Sequence, residues 1–325
     1  MIGPRGSTEA RLDYSGTWSR SSAGASEWRN EQALALAPAE GDHPDAADGE
    51  TLRRLQRDTA RSVNQWYDRT MYAPGLGPFG RILSERASRR FERSGFRNYG
   101  YWAPGIRTRV DASEELMEVL LAFIPQKVGT ILDVACGIGG TTRYLLNYYD
   151  ADAVTGINIS SKQLRTCRQL APGCRFLKMS ATDMSFPPGS FANIICVEAA
   201  HHFVTREKFA TEAHRVLAPF GSLVLSDLVW PKDRTVWWTP VQQRGMGPRA
   251  YRDLYLRAGF ERVEIVDATD EVLGGLSRSK LRSLRSRLRR GLIDEKAFRR
   301  ARARILSRNT GDTYYLLVAA QKGAS

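Results

Sequence analysis

The stretch ILDVACGIGGTTRYLL, residues 131–146, combines a short apolar run, one acidic residue and a cluster of glycines. Gly137, Gly139 and Gly140 fall where a strand and a helix would meet. Glycine is the residue that lets a backbone turn sharply or approach a ligand closely. The stretch therefore predicts a β-strand, a ligand-binding turn and the first turn of a helix.

Short β-type runs alternate with helical segments from residue 130 onward. The runs are GTILDVAC, AVTGINIS, CRFLKMSA, FANIICVEA, GSLVLSDL, VEIVDAT and, at residues 313–322, TYYLLVAAQK. Strands separated by helices give βαβ units, so we predict an α/β fold with a mostly parallel, doubly wound sheet. In such sheets ligands bind at the carboxyl ends of the strands, where the strand order reverses.

The chain divides into three regions by composition. Residues 1–50 are rich in Ser, Gly, Ala, Pro and charged residues, which predicts a disordered tail. Residues 51–105 carry apolar residues at helical spacing and are expected to form capping helices. Residues 106–325 are expected to form the core domain, which includes a basic helical insert at residues 275–308.

Length and composition are those of a globular chain with a sizeable core. The chain has 325 residues, of which 42% are apolar. It contains no run of about 18 or more apolar residues, so we expect a soluble, cytoplasmic protein. The four cysteines show neither CxxC spacing nor a disulfide framework, and we therefore expect free thiols and no metal site.

Two cofactor classes are compatible with a glycine turn after a strand. A dinucleotide-binding turn has the pattern G-x-G-x-x-G, but Thr142 stands where its third glycine is expected. In a turn that binds S-adenosylmethionine, an acidic residue inside the strand precedes the glycines and faces the cationic methionine end of the cofactor. Asp133 has that position, which favours the second class.

Four stretches in order resemble the motifs of class I S-adenosylmethionine-dependent methyltransferases, in the branch that acts on sugars, polyketides and other small natural products. They are LDVACGIGG, VTGINIS, SATDMSFPPGSFANIICVEAAHHF and EAHRVLAPFGSLVLSDL. The resemblance covers roughly residues 98–270. It implies a Rossmann-like seven-stranded sheet of order 3-2-1-4-5-7-6 with the last strand antiparallel, S-adenosyl-L-methionine as the cofactor, and a small-molecule acceptor.

The resemblance also implies which residues contact the cofactor. They are Asp133, Ala135, Gly137, Gly139, Asn158, Ile159, Gln163, Ser180, Ala181, Thr182, Glu198, Tyr101 and Trp102. Three of them depart from the family pattern. Ala135 stands where glycine is usual, and Asn158 stands where an acidic residue usually accepts hydrogen bonds from the ribose hydroxyls. Ser180 stands where an acidic residue often faces the adenine amino group. Each position also has a structural interpretation, such as a turn residue or simple core packing for Tyr101 and Trp102.

Two adjacent histidines, His201 and His202, follow the fourth predicted strand, and Asp227 closes the fifth. An alcohol or phenol must lose its proton when it is methylated, and imidazole is the side chain that accepts protons near neutral pH. By resemblance we expect His202 to be the base, His201 its helper or a substrate contact, and Asp227 the residue that orients the imidazole. The alternative is that both histidines pack under the next helix. His214 differs from them, because it lies in the helix before the fifth strand, and we expect it to be structural.

The predicted function is O-methylation of a hydroxyl group on a small, apolar or natural-product-type metabolite, by in-line displacement with a histidine general base. Trp230, Trp237 and Trp238 are expected to form a wall of the acceptor pocket or to pack in its lid. The alternatives are methylation of carbon or nitrogen on a small molecule or lipid, and a cofactor-binding protein that has lost catalysis. An oligomer is possible.

Most of the net charge lies in one segment near the C-terminus. The chain carries +13, and residues 278–308 hold 13 Lys or Arg against Asp294 and Glu295, which leaves +11 in this segment. Leucines at spacings of three and four within KLRSLRSRLRRGL predict an amphipathic helix with a basic face. We expect a solvated lid helix, or binding to an anionic membrane surface, to an acidic carrier protein or to nucleic acid. Nucleic acid is least supported, because the Asn/Asp-Pro-Pro-aromatic stretch of amino-base methyltransferases is replaced by Glu-Ala-Ala-His-His.

Overall fold

The computed structural model describes residues 49–70, 90–91, 93–232, 234–235, 242–243, 245–307 and 313–324. Residues 1–48 of the predicted disordered tail lie outside the described residues. Trp237 and Trp238 also lie outside them. Residues 49 and 50, placed in the tail by composition, are the first two residues of a helix.

Seven strands form the main sheet. They are β1 Ile131–Val134, β2 Val154–Asn158, β3 Arg175–Lys178, β4 Phe191–Val197, β5 Leu217–Val229, β6 Arg262–Asp267 and β7 Tyr314–Gln321. Their order in the sheet is 3-2-1-4-5-7-6, and β7 is antiparallel to both β5 and β6. Each strand coincides with a β-type run of the sequence, and the expected fold class and strand order are confirmed.

Eight helices surround the sheet or extend from it in the described part of the chain. They are α1 Gly49–Thr70, α2 Arg109–Ala122, α3 Gly140–Leu145, α4 Ser161–Leu170, α5 Arg206–Val216, α6 Pro248–Arg257, α7 Gly275–Arg289 and α8 Glu295–Leu306. Polar residues begin several of them, as when the Ser160 hydroxyl accepts a hydrogen bond from the Gln163 backbone N–H at the start of α4. A two-stranded ribbon pairs Arg234–Thr235 with Gln242–Gln243.

The basic insert is a pair of helices. Helix α7 ends at Arg289, the chain turns through Gly291 with a φ of 66°, and α8 starts at Glu295. Glycine adopts this left-handed conformation without strain, so the amphipathic helix predicted from the leucine spacing ends at this turn. Among the described residues, no helix is long and apolar enough to span a membrane.

The sheet is buried on both faces, which explains the continuous apolar runs of its central strands. Side chains alternate along β1, so that Ile131 joins the apolar cluster that includes helix α2, and Leu132 joins the cluster that includes α5 and α6. All four residues of β1 are buried. Polar side chains therefore gather at the strand ends, and the carboxyl-terminal edge of the sheet is where they meet.

Candidate active site

A cavity that is open to solvent lies at the carboxyl ends of β1, β2, β3 and β4. Ten of the sequence-predicted site residues line it: Ala135, Gly137, Asn158, Ile159, Gln163, Ser180, Ala181, Thr182, Glu198 and His202. The structure therefore brings residues from four separate strand ends into one wall.

The turn after β1 is a left-handed backbone stretch. Ala135, Gly137 and Gly139 have φ angles of 57°, 56° and 98°. A Cβ atom on Gly137 would meet nothing within 4 Å, so the main chain at this position is open to a ligand. Gly140 serves packing, because its Cβ would lie 2.3 Å from the Gly95 carbonyl carbon. Ala135 adopts a conformation that glycine would adopt at lower cost, which accounts for the family preference at that position.

Asp133 is 1% exposed and does not line the cavity. Its Oδ2 accepts a 2.6 Å hydrogen bond from the hydroxyl of Thr142, the residue that replaces the third glycine of a dinucleotide turn. Burial raises the pKa of Asp133 to about 7. Thr142 thus supplies a hydrogen-bond partner for Asp133, which explains why it stands in place of the third glycine. A contact between Asp133 and the methionine moiety of the cofactor stays a prediction.

Asn158 ties the end of β2 to the glycine turn. Its Nδ2 donates to the Gly137 carbonyl at 3.1 Å and to Gln163 Oε1 at 2.8 Å, and its Oδ1 accepts from the Ser160 backbone N–H. A carboxylate could make neither of the first two bonds, since it has no proton to donate. Asn158 Oδ1 keeps a second lone pair for a ligand hydroxyl, so the substitution is compatible with ribose binding.

Sequence reasoning missed a group of cavity residues from α1 and the segment that precedes α2. They are Gln56, Thr59, Val63, Asn64, Arg97 and Asn98. Gln56 Nε2 donates to the Val204 carbonyl at 2.9 Å, which holds α1 across the cavity. The hydroxyl of Thr59 and the side-chain oxygen of Asn98 are buried, and neither has a hydrogen-bond partner within the described residues. Both residues line the cavity, so a ligand there is a candidate partner for these two atoms.

Tyr101 and Trp102 do not line the cavity, although Asn98 of the same NYGYW segment does. Trp102 is buried with Ala112 and Leu276, and its Nε1 donates to the Tyr99 carbonyl at 3.1 Å. Tyr101 packs at the edge of the cluster around α2, and burial raises its pKa to about 12. Their surroundings match core packing, and a cofactor role for either one stays a prediction.

Glu198 lies at the end of β4 with a φ of 52° and lines the cavity. Its Oε1 accepts hydrogen bonds from the Tyr99 backbone N–H at 2.7 Å and from the Tyr315 hydroxyl at 2.8 Å. Burial raises the pKa of Glu198 to about 8, against the opposing effect of these two donors and of Arg109. A cation that entered the cavity would favour the ionised form of Glu198 and lower its pKa.

Asp227 is fully buried at the end of β5, beside His201. One oxygen accepts from His201 Nδ1 at 2.7 Å and from the His201 backbone N–H, while the other accepts from Arg206 Nε at 2.9 Å and from the Tyr251 hydroxyl at 2.7 Å. Burial alone would raise the pKa of Asp227, but Arg206 and the hydrogen bonds outweigh burial and hold the pKa below its ordinary value. Asp227 is therefore hydrogen-bonded to His201 and does not line the cavity, and its role in orienting an imidazole stays a prediction.

His202 lines the cavity, and its ring lies 4.0 Å from that of His201, centroid to centroid, with 46° between the planes. Burial, followed by the influence of His201, lowers the pKa of His202 well below its ordinary value of 6.5. The imidazole is therefore neutral at physiological pH and can accept a proton. Behind the pair, Trp230 is buried and stands edge-on to His201 at 6.1 Å, away from the lining.

His214 packs against Phe260, with ring centroids 5.2 Å apart, and is not a lining residue. Its expected structural role is consistent with this position. Within the described part of the chain, no three His, Cys, Asp or Glu side chains are arranged to hold a metal ion.

The raised pKa of Glu198 makes the free energy of unfolding depend on pH. A carboxyl whose pKa is about 8 in the folded protein and near 4.5 when unfolded stabilises the fold below the unfolded pKa, and this stabilisation is lost as the pH rises towards 8. We expect wild type to lose up to about 1 kcal/mol more than Glu198→Gln between about pH 7 and about pH 8 in urea denaturation. Glu264→Gln, at an exposed position of β6, is the control and should behave as wild type. Equal losses in wild type and Glu198→Gln would contradict the assignment.

Comparison with known proteins agrees with this architecture. Residues 132–225 match the family model described as a methyltransferase domain. The 2-methyl-6-phytyl-1,4-hydroquinone methyltransferase of Synechocystis sp. is 40% identical over 152 residues, which cover 45% of this chain and 47% of that protein. The fatty-acid O-methyltransferase of Mycolicibacterium smegmatis is 29% identical over 142 residues, 41% of this chain and 52% of that protein. The chain thus spans about half the length of these curated relatives.

Solved structures share the fold. A geranyl diphosphate C-methyltransferase from Streptomyces coelicolor A3(2), crystallised with S-adenosyl-L-homocysteine, superposes with a TM-score of 0.57 at 19% identity and covers 82% of this chain and 97% of that one. The strand order, the glycine turn at the end of β1 and the family match over residues 132–225 agree with one another. Residues 132–225 therefore match a methyltransferase domain, and the chain is similar to class I S-adenosylmethionine-dependent methyltransferases.

Proposed function

We propose that the chain transfers a methyl group to a hydroxyl oxygen of a small, largely apolar acceptor, with His202 as the general base. One observation carries this proposal. A neutral imidazole, His202, lies in the same cavity wall as the glycine turn and Asn158, which are the residues expected to hold the cofactor.

The lining fits S-adenosyl-L-methionine. Gly137 offers open main chain, Asn158 offers a carbonyl oxygen with a spare lone pair, and Asn98 offers a buried oxygen without a partner among the described residues. Glu198 adds a buried carboxyl group, whose ionised form a cationic ligand in the cavity would favour. When bound, this cofactor supplies a methyl group on a positively charged sulfur, which makes the methyl carbon electrophilic.

His202 would accept the acceptor's hydroxyl proton at a ring nitrogen. The buried ring is neutral at physiological pH and can accept a proton, while the same burial makes it a weaker base than a free imidazole. The adjoining His201 is held by two hydrogen bonds to Asp227, and its ring contact with His202 restricts the orientation of the base. Asp227 is thus a positioning residue that acts through His201.

An apolar acceptor is supported by the apolar part of the cavity lining. The large apolar side chains that line the cavity with His202 include Val63, Ile138, Met179, Val197, Phe203 and Val204. Such a wall binds hydrocarbon by removing apolar surface from water. The names of two similar proteins contain apolar compounds, a phytyl hydroquinone and a fatty acid.

Methyl transfer from labelled S-adenosyl-L-methionine to a panel of phenols, fatty acids and apolar alcohols tests the proposal. We expect a methyl ether on a phenol or an alcohol, identified by NMR, whereas a methyl ester formed from a fatty acid would contradict the need for a general base. A methyl group on carbon or nitrogen would overturn the oxygen assignment and keep the methyltransferase. If calorimetry shows that S-adenosyl-L-homocysteine binds but no acceptor gives a product, a binding protein that has lost catalysis is favoured. If calorimetry shows no heat of binding at all, the cofactor assignment is overturned.

A further inference from the structure

Helices α7 and α8 form a strongly basic pair that we call the basic hairpin, Gly275–Leu306. Twelve Lys or Arg lie between residues 275 and 307, against Asp294 and Glu295 only. The hairpin thus carries +10 of the net +13 of the chain. A charge this concentrated makes a local positive field, which attracts an anionic partner over about one Debye length.

The hairpin cannot neutralise itself. Asp294 Oδ1 caps α8 by accepting from the Ala297 backbone N–H at 2.6 Å, and Arg278 pairs with Asp270 at 2.8 Å. Two internal acids and this neighbour leave most of the twelve cations to solvent or to a partner. Ten of the twelve side chains are exposed, including Arg285 and Arg289 on α7.

Apolar side chains are exposed among these cations. Leu292, in the turn between the two helices, is 55% exposed, and Leu306, at the end of α8, is 44% exposed. They are two of the five large apolar side chains that are exposed in the described part of the chain. A nucleic acid would use the cations and leave these leucines in water, whereas the headgroup region of a bilayer accepts both kinds of side chain.

We propose that the basic hairpin binds the surface of a bilayer that contains anionic phospholipid. Arginines would contact the phosphate groups while Leu292 enters the boundary between headgroups and acyl chains. This inference goes beyond the proposed function, because binding to a bilayer does not require methyl transfer.

The hairpin contacts Trp102, in the segment that continues from the cavity residue Asn98. The Trp102 backbone N–H donates to the Glu271 carbonyl at 3.1 Å, just before α7, and Leu276 packs against Trp102. Gly275 lies so close to Trp102 that a Cβ there would come within 2.3 Å of the Trp102 Cβ. Because Asn98, four residues before Trp102, lines the cavity, a docked hairpin would hold the cavity near the bilayer.

Vesicle flotation of the full chain tests the proposal. Vesicles of phosphatidylcholine alone are compared with vesicles in which roughly a third of the lipid is phosphatidylglycerol. We expect binding to the anionic vesicles only, and weaker binding at high salt. Arg285→Gln/Arg289→Gln/Arg299→Gln/Arg302→Gln should lower the partition coefficient about tenfold or more, since each cation near the surface contributes independently.

A matched control removes the same charge elsewhere. Arg165, Arg175, Arg257 and Arg262 are exposed on α4, β3, α6 and β6, and their fourfold change to Gln should leave vesicle binding within about twofold of wild type. Leu292→Ser/Leu306→Ser keeps every charge and should still weaken vesicle binding. Circular dichroism verifies folding of each variant, and the salt dependence of wild type tests the electrostatic part without any substitution.

Several outcomes would overturn the proposal. One is equal loss of vesicle binding in the two fourfold variants, because the net charge of the chain would then be responsible. Another is the finding that the wild-type chain binds an acidic carrier protein or RNA but does not bind anionic vesicles. A leucine variant that binds vesicles as wild type does would overturn the insertion of Leu292.

Discussion

His202→Ala is expected to lower kcat by about 10²- to 10⁴-fold, the range that removal of a general base produces. The substitution removes the neutral imidazole that lines the cavity beside the glycine turn. It leaves Gly137 and Asn158 in place, so the Kd for S-adenosyl-L-homocysteine should stay within about threefold of wild type, a change below about 1 kcal/mol. Steady-state kinetics with an acceptor found in the labelling panel, together with calorimetry, measure the two effects.

His214→Ala is the matched control for this prediction. It removes the same kind of side chain from a position that packs against Phe260 and is not a lining residue. Its kcat should be close to that of wild type. Turnover of His202→Ala at the wild-type rate with saturating acceptor would show that another group removes the proton.

The pH profile of wild type gives a second signature of the same base. Because the pKa of His202 lies well below 6.5, the ring stays neutral as the pH falls through that value. The acidic limb of kcat that depends on His202 should therefore lie below about pH 6.5 and be absent from the residual activity of His202→Ala.

Asp227→Ala is expected to reduce the free energy of unfolding by about 3–5 kcal/mol, because it leaves the buried Arg206 guanidinium without its carboxylate. The same change removes the acceptors of the Tyr251 hydroxyl and of His201 Nδ1. Urea denaturation measures the loss. Asp152→Ala, at an exposed position after β1, is the control and should change stability by less than about 0.5 kcal/mol.

A separate readout distinguishes positioning of His201 from stability alone. At a temperature where Asp227→Ala is folded, its kcat should fall while the Kd for S-adenosyl-L-homocysteine stays near that of wild type, since the lining residues at the glycine turn are unchanged. If the folded Asp227→Ala variant has the kcat of wild type, the role of the Asp227 carboxylate is structural only. Stability close to wild type would contradict the buried ion pair.

Local patterns in the sequence were sufficient for the framework of the site. The apolar runs predicted the seven strands, and Gly137 predicted a turn open to a ligand, because burial period and backbone freedom are properties of a few neighbouring residues. The pair His201 and His202 followed from position alone, since the carboxyl ends of parallel strands meet at one edge of the sheet.

Only the tertiary structure decided which polar groups meet. The partners of Asp227 include Arg206 and Tyr251, more than 20 residues away in the chain, and Glu198 bonds Tyr315, 117 residues away. The structure placed Asn98, not Tyr101 or Trp102, in the cavity wall. Contacts at such separations depend on how helices pack against the sheet, and no short stretch of sequence encodes that packing.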